Sequence, residues 1–528
     1  MKIYNKILMI LVAGAMLFTA ACTDLEIEVQ SQYTSDNFPT TAEDYEALTG
    51  PIYTTFNPAM GRYYWQTQTL SSDEMIMPAK NGGWYDGGRY QQFHNHTWNG
   101  DNAMIVDIWD YGFQSVSATN RVLSILESAP EGEQKDRGIA EVRTMRAFYM
   151  YLMTDNFGAI PIVDKWGGDK VYDRSPRSEV VEFIEQELIE SIPYLNKNIG
   201  SNTYSRPTYY MANALLAKLY INWEVYTGET KWDEAVSACD AVIKDGVFEL
   251  DDDYMSMFSY DNGPQIKDFI YAMPFDGERI QGMYHARFWL HKKQRNRFEL
   301  PFNPSGPLRC VPEFYNKFNL AGDERNNMWL TGPQYELDGS PLIIPTTNKG
   351  LNSDYDGPEP DAEVLYHLTF TQDWEFKDYE IFDIGDDELK RAYGYRCIKF
   401  YPDKTSSSRN QSNDVPVFRY ADVLLMKAEA ILRGAKATLG DSPVSLMNQI
   451  RNRVEAPEVA SVTLEELLDE RAREFYSENW RRNDLIRFGK FGDAWGWKSA
   501  YNDVNKIIFP VPNVELDINP HWSQNPGY

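Results

Sequence analysis

Cysteine is scarce in this chain of 528 residues, which carries only Cys22, Cys239, Cys310 and Cys397. After Cys22 the others are odd in number and widely spaced, so neither a disulfide framework nor a CxxC pair is visible. Cys239 lies in an apolar helical pattern, which favours a core position. Catalytic signatures are missing as well: the chain has no HExxH, GxSxG, Walker or GxGxxG motif.

Positive charge is also deficient, since 51 Lys and Arg face 78 Asp and Glu, for a net charge of −27. This balance disfavours nucleic acid, whose binding depends on neutralising phosphates with basic side chains. A neutral ligand such as a sugar would be indifferent to it. Aromatic residues make up 14% of the chain. Tyr and Trp combine an apolar face with a polar tip, which suits cores, interfaces and sugar-stacking surfaces alike.

Long apolar runs are few, and the clearest is the twelve-residue stretch 7–18 near the N-terminus. It follows Lys2 and Lys6, is too short to span a bilayer, and precedes Thr19, Ala20 and Ala21. Thr-Ala-Ala-Cys resembles the lipobox of bacterial lipoproteins, with Thr19 where Leu is usual. We therefore predict a signal peptide at 1–21, a lipidated Cys22 and a flexible acidic tether at 22–40. The lipid would be the chain's only contact with a membrane.

Amphipathic stretches at helical spacing dominate the rest of the chain. They occur at 140–155, 212–223, 231–243, 422–432 and 465–475. The pair 212–223 and 231–243, joined by a tight turn, is typical of a tetratricopeptide-like hairpin. Residues 261–400 differ, with short apolar runs and turn pairs such as Asn262-Gly263 and Asp338-Gly339. We predict a mainly α fold of 41–260 and 401–528, interrupted by a loop-rich insertion at 261–400.

Four polar clusters have ordinary interpretations. His94 and His96 could ligate a metal, but without a visible third ligand we expect hydrogen bonds. Asp251–Asp253 and 354–357 are acidic enough for calcium but lack EF-hand spacing, so turn chemistry is favoured. Glu470, Glu474 and Glu478 alternate with arginines at i, i+4 and i+8, which indicates ion pairs along a helix rather than a glycosidase pair. No cofactor is predicted, and a structural calcium stays open.

Aromatic residues in loops are the candidate ligand contacts. The Gly-rich stretch 82–89 carries Trp84, Tyr85 and Arg89, within a predicted binding loop at 66–100. Trp65 precedes that loop, and the insertion adds Tyr284, Arg287 and Trp289. Rings would stack on sugars while arginines orient hydroxyl groups. The alternative is that these rings hold their own loops against the frame.

Several ordered blocks resemble the SusD/RagB family of Bacteroidetes surface lipoproteins. They include 108–126, 140–163 (AEVRTMRAFYMYLMTDNFGAIPIV), 419–430 (RYADVLLMKAEA), 470–489 and the ending 509–528 (FPVPNVELDINPHWSQNPGY). Asp422 stands where the family has Glu, and Asn479 where it usually has Gly.

The resemblance implies a helical core of tetratricopeptide-like pairs with the ligand site on irregular loops. It implies a non-enzymatic protein on the outer face of the outer membrane, which delivers oligosaccharide or polysaccharide to a SusC-like TonB-dependent transporter. An oligopeptide ligand, as in relatives resembling RagB, is the alternative, and a glycoside hydrolase is a third. The family's binding positions vary, so the site residues rest on the interpretation of the loops.

Overall fold

The computed structural model describes residues 38–346, 364–385 and 388–528. The predicted signal peptide, Cys22, the tether up to residue 37 and the acidic turn 354–357 lie outside the described residues. Their assignments therefore stay predictions.

Helices are the main regular secondary structure of the described residues and strands are few and short, which confirms the predicted mainly α fold. Within the described ranges, none is both long and apolar enough to cross a bilayer. The α-helices are Ala42–Thr49, Trp65–Leu70, Gln91–Asn95, Ala103–Glu127, Glu133–Phe157, Arg177–Ser191, Tyr209–Ile221, Trp223–Thr227, Trp232–Ile243, His285–Trp289, Pro312–Tyr315, Tyr420–Leu432, Pro443–Arg453, Leu464–Phe475, Arg481–Arg487 and Asn513–Ile518.

Local sequence explains where the main helices begin. The side chains of Thr41, Asn102, Thr208, Ser442 and Thr463 each accept a hydrogen bond from a backbone N–H in the first turn. These caps satisfy donors that have no partner inside the helix. The five predicted helical stretches all fall on observed helices, with boundaries shifted by a few residues.

Several helices pack against the next helix along the chain. Ala103–Glu127 lies against Glu133–Phe157, which in turn packs against Arg177–Ser191. The predicted hairpin is present as Tyr209–Ile221 packed on Trp232–Ile243, and the latter contacts Tyr420–Leu432. Cys239 is buried in this core, as expected. The amphipathic helices bury one face, whereas Tyr209–Ile221 and Tyr420–Leu432 are buried along most of their length, and the resulting frame supports the loops.

Strands are short and paired in twos. They are Met75–Ile76 with Arg309–Cys310, Ile160–Pro161 with Arg174–Ser175, Phe269–Met273 with Val415–Arg419, Trp329–Leu330 with Arg396–Cys397, Gly332–Pro333 with Thr369–Phe370, and Ile343–Thr346 with Val364–His367, all antiparallel. Phe269–Met273 and Val415–Arg419 are buried at every position. This ribbon joins the start of the 261–400 segment to the C-terminal helices.

The charged C-terminal segment forms a buried ion-pair network. Arg419 Nη1 lies 2.8 Å from Glu474 Oε1, and Arg419 Nε lies 2.7 Å from Glu478 Oε2. Arg451 Nε lies 2.9 Å from Glu470 Oε2. The ion-pair interpretation is confirmed, but the single helical face was wrong, because the helix ends at Phe475 and Glu478 lies beyond it. Most of the pairs join separate elements, and Arg473 with Glu470 is a pair that follows the helix, at 2.8 Å.

Two other polar clusters also have protein partners. His96 Nε2 lies 2.8 Å from the Ser71 carbonyl oxygen and Nδ1 lies 2.5 Å from the Tyr501 hydroxyl. Asp253 Oδ1 accepts from the backbone N–H groups of Met255 and Ser256, both at 3.0 Å. Hydrogen bonding accounts for His96 and Asp253, as predicted, whereas the prediction for 354–357 lies outside the described residues. Across the described ranges, no group of His, Cys, Asp and Glu has the arrangement of a metal site.

Candidate functional site

The Gly-rich loop is held in one conformation by its own hydrogen bonds. Lys80 and Gly83 exchange backbone hydrogen bonds of 2.8 and 3.0 Å. The Asn81 N–H donates to Asp383 Oδ1 at 2.7 Å, and Gln91 Nε2 donates to the Trp84 carbonyl at 3.1 Å. Trp84 has φ 60°, an unusual value for a large side chain. Such backbone strain, fixed by surrounding contacts, is characteristic of functional loops.

A second segment contributes the short helix His285–Trp289 with Tyr284 before it. One side of this helix is buried, including Phe288, whereas Tyr284 and Arg287 are half-exposed. The segment is anchored because the Gln411 N–H donates to the Met283 carbonyl at 2.9 Å. Tyr284 and Arg287 are therefore presented from a fixed backbone.

The two segments meet around Phe288. The Trp84 and Phe288 ring centroids are 5.7 Å apart in an edge-on arrangement. Arg287 Cζ lies 5.3 Å from the Phe288 centroid and 6.0 Å from that of Trp84. Trp84 and Tyr85 are each half-exposed. Residues predicted independently from distant parts of the sequence thus share one surface.

Two of the predicted aromatic contacts are wrong. Trp65 is fully buried, stacks on the His285 ring at 3.7 Å and donates from Nε1 to Ser477 Oγ at 2.8 Å. It belongs to the helix Trp65–Leu70, so the predicted binding loop is helical at its start. Trp289 is only 3% exposed and packs near Tyr476. Neither ring has a face available to a ligand.

Several residues that the sequence interpretation missed extend the surface. Tyr63 and Tyr111 are half-exposed and their rings stack at 6.1 Å with an angle of 21°. Arg62 lies between them and the other segment, with Cζ 4.7 Å from the Tyr63 centroid and 5.8 Å from that of Tyr284. Tyr63 belongs to the same aromatic run as Trp65, and that run is a sequence signal for it. Tyr111 follows half-exposed Asp107 by one helical turn, a weaker signal.

We call this set the aromatic surface. It consists of Arg62, Tyr63, Trp84, Tyr85, Arg89, Asp107, Tyr111, Tyr284 and Arg287.

Charges on the aromatic surface are partly balanced. Arg89 Nη2 lies 2.9 Å from Asp86 Oδ2 and donates to the Tyr90 hydroxyl at 2.8 Å. Burial raises the pKa of the Asp107 carboxyl, and nearby Arg62 and Arg89 oppose that rise. Stacking faces and guanidinium donors therefore lie side by side, a combination suited to a polyhydroxylated or charged ligand.

A concavity lies elsewhere on the frame, away from the aromatic surface. It is a groove of about 1400 Å³ between the helix Ala103–Glu127, the loop around Trp166 and the C-terminal helix Asn513–Ile518. Its lining is largely apolar and includes Phe113, Val171 and Trp522. Trp166 is 52% exposed. The sequence interpretation did not identify this groove, because its lining comes from separate segments.

Comparison with known families gives two matches that cover different parts of the chain. The model described as "SusD family" matches residues 381–528, and the one described as "Starch-binding associating with outer membrane" matches 28–221. The two matches together support a SusD-family protein.

Individual relatives and solved structures agree with this assignment. The starch-binding protein SusD of Bacteroides thetaiotaomicron is 27% identical over 428 residues, covering 74% of this chain and 72% of the relative. A SusD superfamily protein from Parabacteroides distasonis is 21% identical with a TM-score of 0.71, covering 94% of this chain and 100% of that one. The surface glycan-binding protein A of B. thetaiotaomicron, in complex with laminarihexaose, is 20% identical with a TM-score of 0.70, covering 92% and 100%. The structural likenesses show a shared fold.

Proposed function

We propose that this chain is a non-enzymatic, cell-surface lipoprotein that binds oligosaccharide or polysaccharide at the aromatic surface. It then passes the ligand to a SusC-like TonB-dependent transporter. The observation that carries the proposal is the convergence of half-exposed Trp84, Tyr284 and Tyr63 with arginine side chains from distant segments.

The chemistry of this surface suits a sugar. A pyranose ring offers a C–H face that packs on an aromatic ring, while its hydroxyl groups accept from guanidinium donors. Because the surface is shallow and partly solvated, the affinity would be modest. Modest affinity favours release to a transporter over storage.

Relatives support the class of ligand and the cellular location. One relative is named as starch-binding, and one similar structure holds laminarihexaose. The description of one matching family model mentions the outer membrane. Lipidation at Cys22 would tether the chain there and leave the aromatic surface free to meet a polysaccharide.

The test is a panel of soluble polysaccharides, titrated against the protein and the Trp84→Ala variant. We expect at least one glycan to bind and Trp84→Ala to weaken it about tenfold, a loss of about 1.4 kcal/mol. The melting temperature should change little, since the Trp84 ring is only half-buried. Unchanged affinity in the variant would remove Trp84 from the site, and failure of every glycan would reject the proposal.

An oligopeptide ligand is the second candidate, favoured by the largely apolar groove beside Trp166. A peptide could bury side chains there, as peptide sites require. Titration with a mixed tryptic peptide pool and with Trp166→Ala separates the candidates. Peptide binding that needs Trp166, without glycan binding, would replace the proposed ligand class.

The non-enzymatic role has its own test. Prolonged incubation of the protein with a bound glycan should release no new reducing ends. Release that disappears in Asp107→Asn would identify a hydrolase, because Asp107 is a carboxyl with a raised pKa at the aromatic surface.

A further inference from the structure

Arginine side chains converge on the aromatic surface from three parts of the chain. Arg62 Cζ and Arg287 Cζ lie 5.9 and 5.3 Å from the Phe288 ring centroid, so both guanidinium groups border one ring. Arg409 is exposed in a loop that is tied to the same segment, because Asn410 Oδ1 accepts from the Gly282 N–H at 3.2 Å. Arg89 lies on the Trp84 side.

Three of these four arginines have no carboxylate partner among the described residues. Arg89 is paired with Asp86, whereas Arg62, Arg287 and Arg409 make no ion pair with any described side chain. Arg62 Nε is also buried without a hydrogen-bond partner. The solvent-facing donors of these three arginines remain available to a ligand. This is unusual in a chain with 27 more negative than positive charges.

The unpaired arginines also repel one another. Burial lowers the pKa of Arg287, and the positive charges of Arg409 and Arg62 lower it further. Asp107 offsets part of this charge, since it interacts with Arg62 and Arg89. A neutral sugar would leave the remaining repulsion in place. An anionic group bound between the guanidinium groups would relieve it and could accept paired hydrogen bonds.

We infer that the aromatic surface selects acidic glycans, whose anionic groups are uronate carboxylates or sulfate esters bound by Arg62, Arg287 and Arg409. The inference rests on the proposed function, that this surface binds glycan. The rings would supply stacking common to all sugars, and the arginines would supply the selection for charge.

Matched pairs of polysaccharides test this selection. The protein is titrated with polygalacturonate and its carboxyl-reduced form, and with dextran sulfate and dextran. We expect at least one acidic member to bind about tenfold more tightly than its neutral partner at low salt, with the difference shrinking as NaCl is raised. A preference within the polygalacturonate pair would indicate a site for uronate, and a preference within the dextran pair would indicate a site for sulfate.

Charge variants separate a specific site from general attraction. Arg62→Gln and Arg287→Gln should each weaken the acidic glycan about tenfold, a clearly larger loss than the same substitution causes for its neutral partner. Asp107→Asn should strengthen acidic binding, an effect that loss of packing would not produce. The matched control is Arg137→Gln, a half-exposed arginine at the start of the helix Glu133–Phe157.

The outcomes are distinguishable. Equal binding within both pairs would overturn the selection for acid and leave glycan binding intact. Acidic binding that is insensitive to Arg62→Gln and Arg287→Gln would also overturn it. Failure of every glycan, acidic and neutral, would reject the proposed function itself.

Discussion

The C-terminal network and the aromatic surface both concentrate arginine, but their surroundings differ. In the network, Arg419 is 1% exposed and contacts carboxylates of Asp268, Glu474 and Glu478. At the aromatic surface, Arg62 and Arg287 are half-exposed and lie beside rings, with no carboxylate partner among the described residues. Buried pairs satisfy each other, whereas unpaired cations at a surface remain available. Pairing, rather than the number of arginines, distinguishes the structural region from the candidate site.

The largest expected effect comes from breaking a buried pair. Arg419→Met should lower the free energy of unfolding by about 3–5 kcal/mol, because it leaves buried carboxylates without a counter-charge. Arg287→Met should lower it by less than about 1 kcal/mol. Urea unfolding of both variants measures the contrast, and equal losses would abolish the distinction between the two regions.

The second-largest expected effect is the loss of stability of the ion-pair network in acid. Burial acts to raise the pKa of Glu470, but Arg325, Arg473 and Arg451 outweigh it and hold the pKa at about 2. In the unfolded chain the Glu470 carboxylate is protonated near pH 4.5. The contribution of the ionised Glu470 to the free energy of unfolding is therefore complete above that pH and is lost as the pH falls towards 2. We expect a loss of about 3 kcal/mol over this window from this group, followed by urea unfolding. A free energy of unfolding that does not change between pH 4.5 and 2 would contradict this prediction.

Glu74 should behave in the opposite way and serves as the control carboxyl. Burial raises its pKa to about 8, so the folded chain keeps a proton that the unfolded chain loses near pH 4.5. Glu74 therefore lowers the free energy of unfolding progressively as the pH rises from 4.5 to 8. Glu74→Gln should be more stable than the parent at pH 8, measured by urea unfolding. If the variant and the parent were equally stable at pH 8, the raised pKa would not belong to Glu74.

The smallest effect is expected at the edge of the aromatic surface. Tyr63→Ala should weaken glycan binding about threefold, since the ring is half-exposed and already stacked on Tyr111. Stability should change little. Titration with the best glycan of the panel measures it. A loss larger than that of Trp84→Ala would move the centre of the site towards the long helix Ala103–Glu127.

Much of the frame followed from local patterns. Apolar spacing located the helices, and capping residues such as Thr463 and Ser442 explain their starts. Asn479, which occupies a position where the family usually has Gly, has φ 73°, a conformation that Asn tolerates better than most residues. The prediction failed at Glu478, because nothing in the helical spacing marks the end of the helix at Phe475.

The candidate site was only half predictable. Trp84, Tyr85, Arg89, Tyr284 and Arg287 were identified because Gly-rich and irregular segments rarely bury every ring. Trp65 was assigned wrongly because its burial depends on His285 and Ser477, which lie far along the chain. The sequence does not single out Arg62, because an arginine three residues before a buried tryptophan has no distinctive local pattern. Arg62 is of interest because it makes no ion pair with a carboxylate among the described residues.

By itself, then, the sequence determined the helical frame and the family resemblance, because periodicity, caps and ordered motifs are local properties of a chain. The lipid anchor stays a prediction of the sequence. Tertiary structure alone decided which aromatic rings keep an open face and which arginines lack a partner. Exposure and charge pairing depend on what the rest of the chain brings near a side chain, and no window of sequence contains that information.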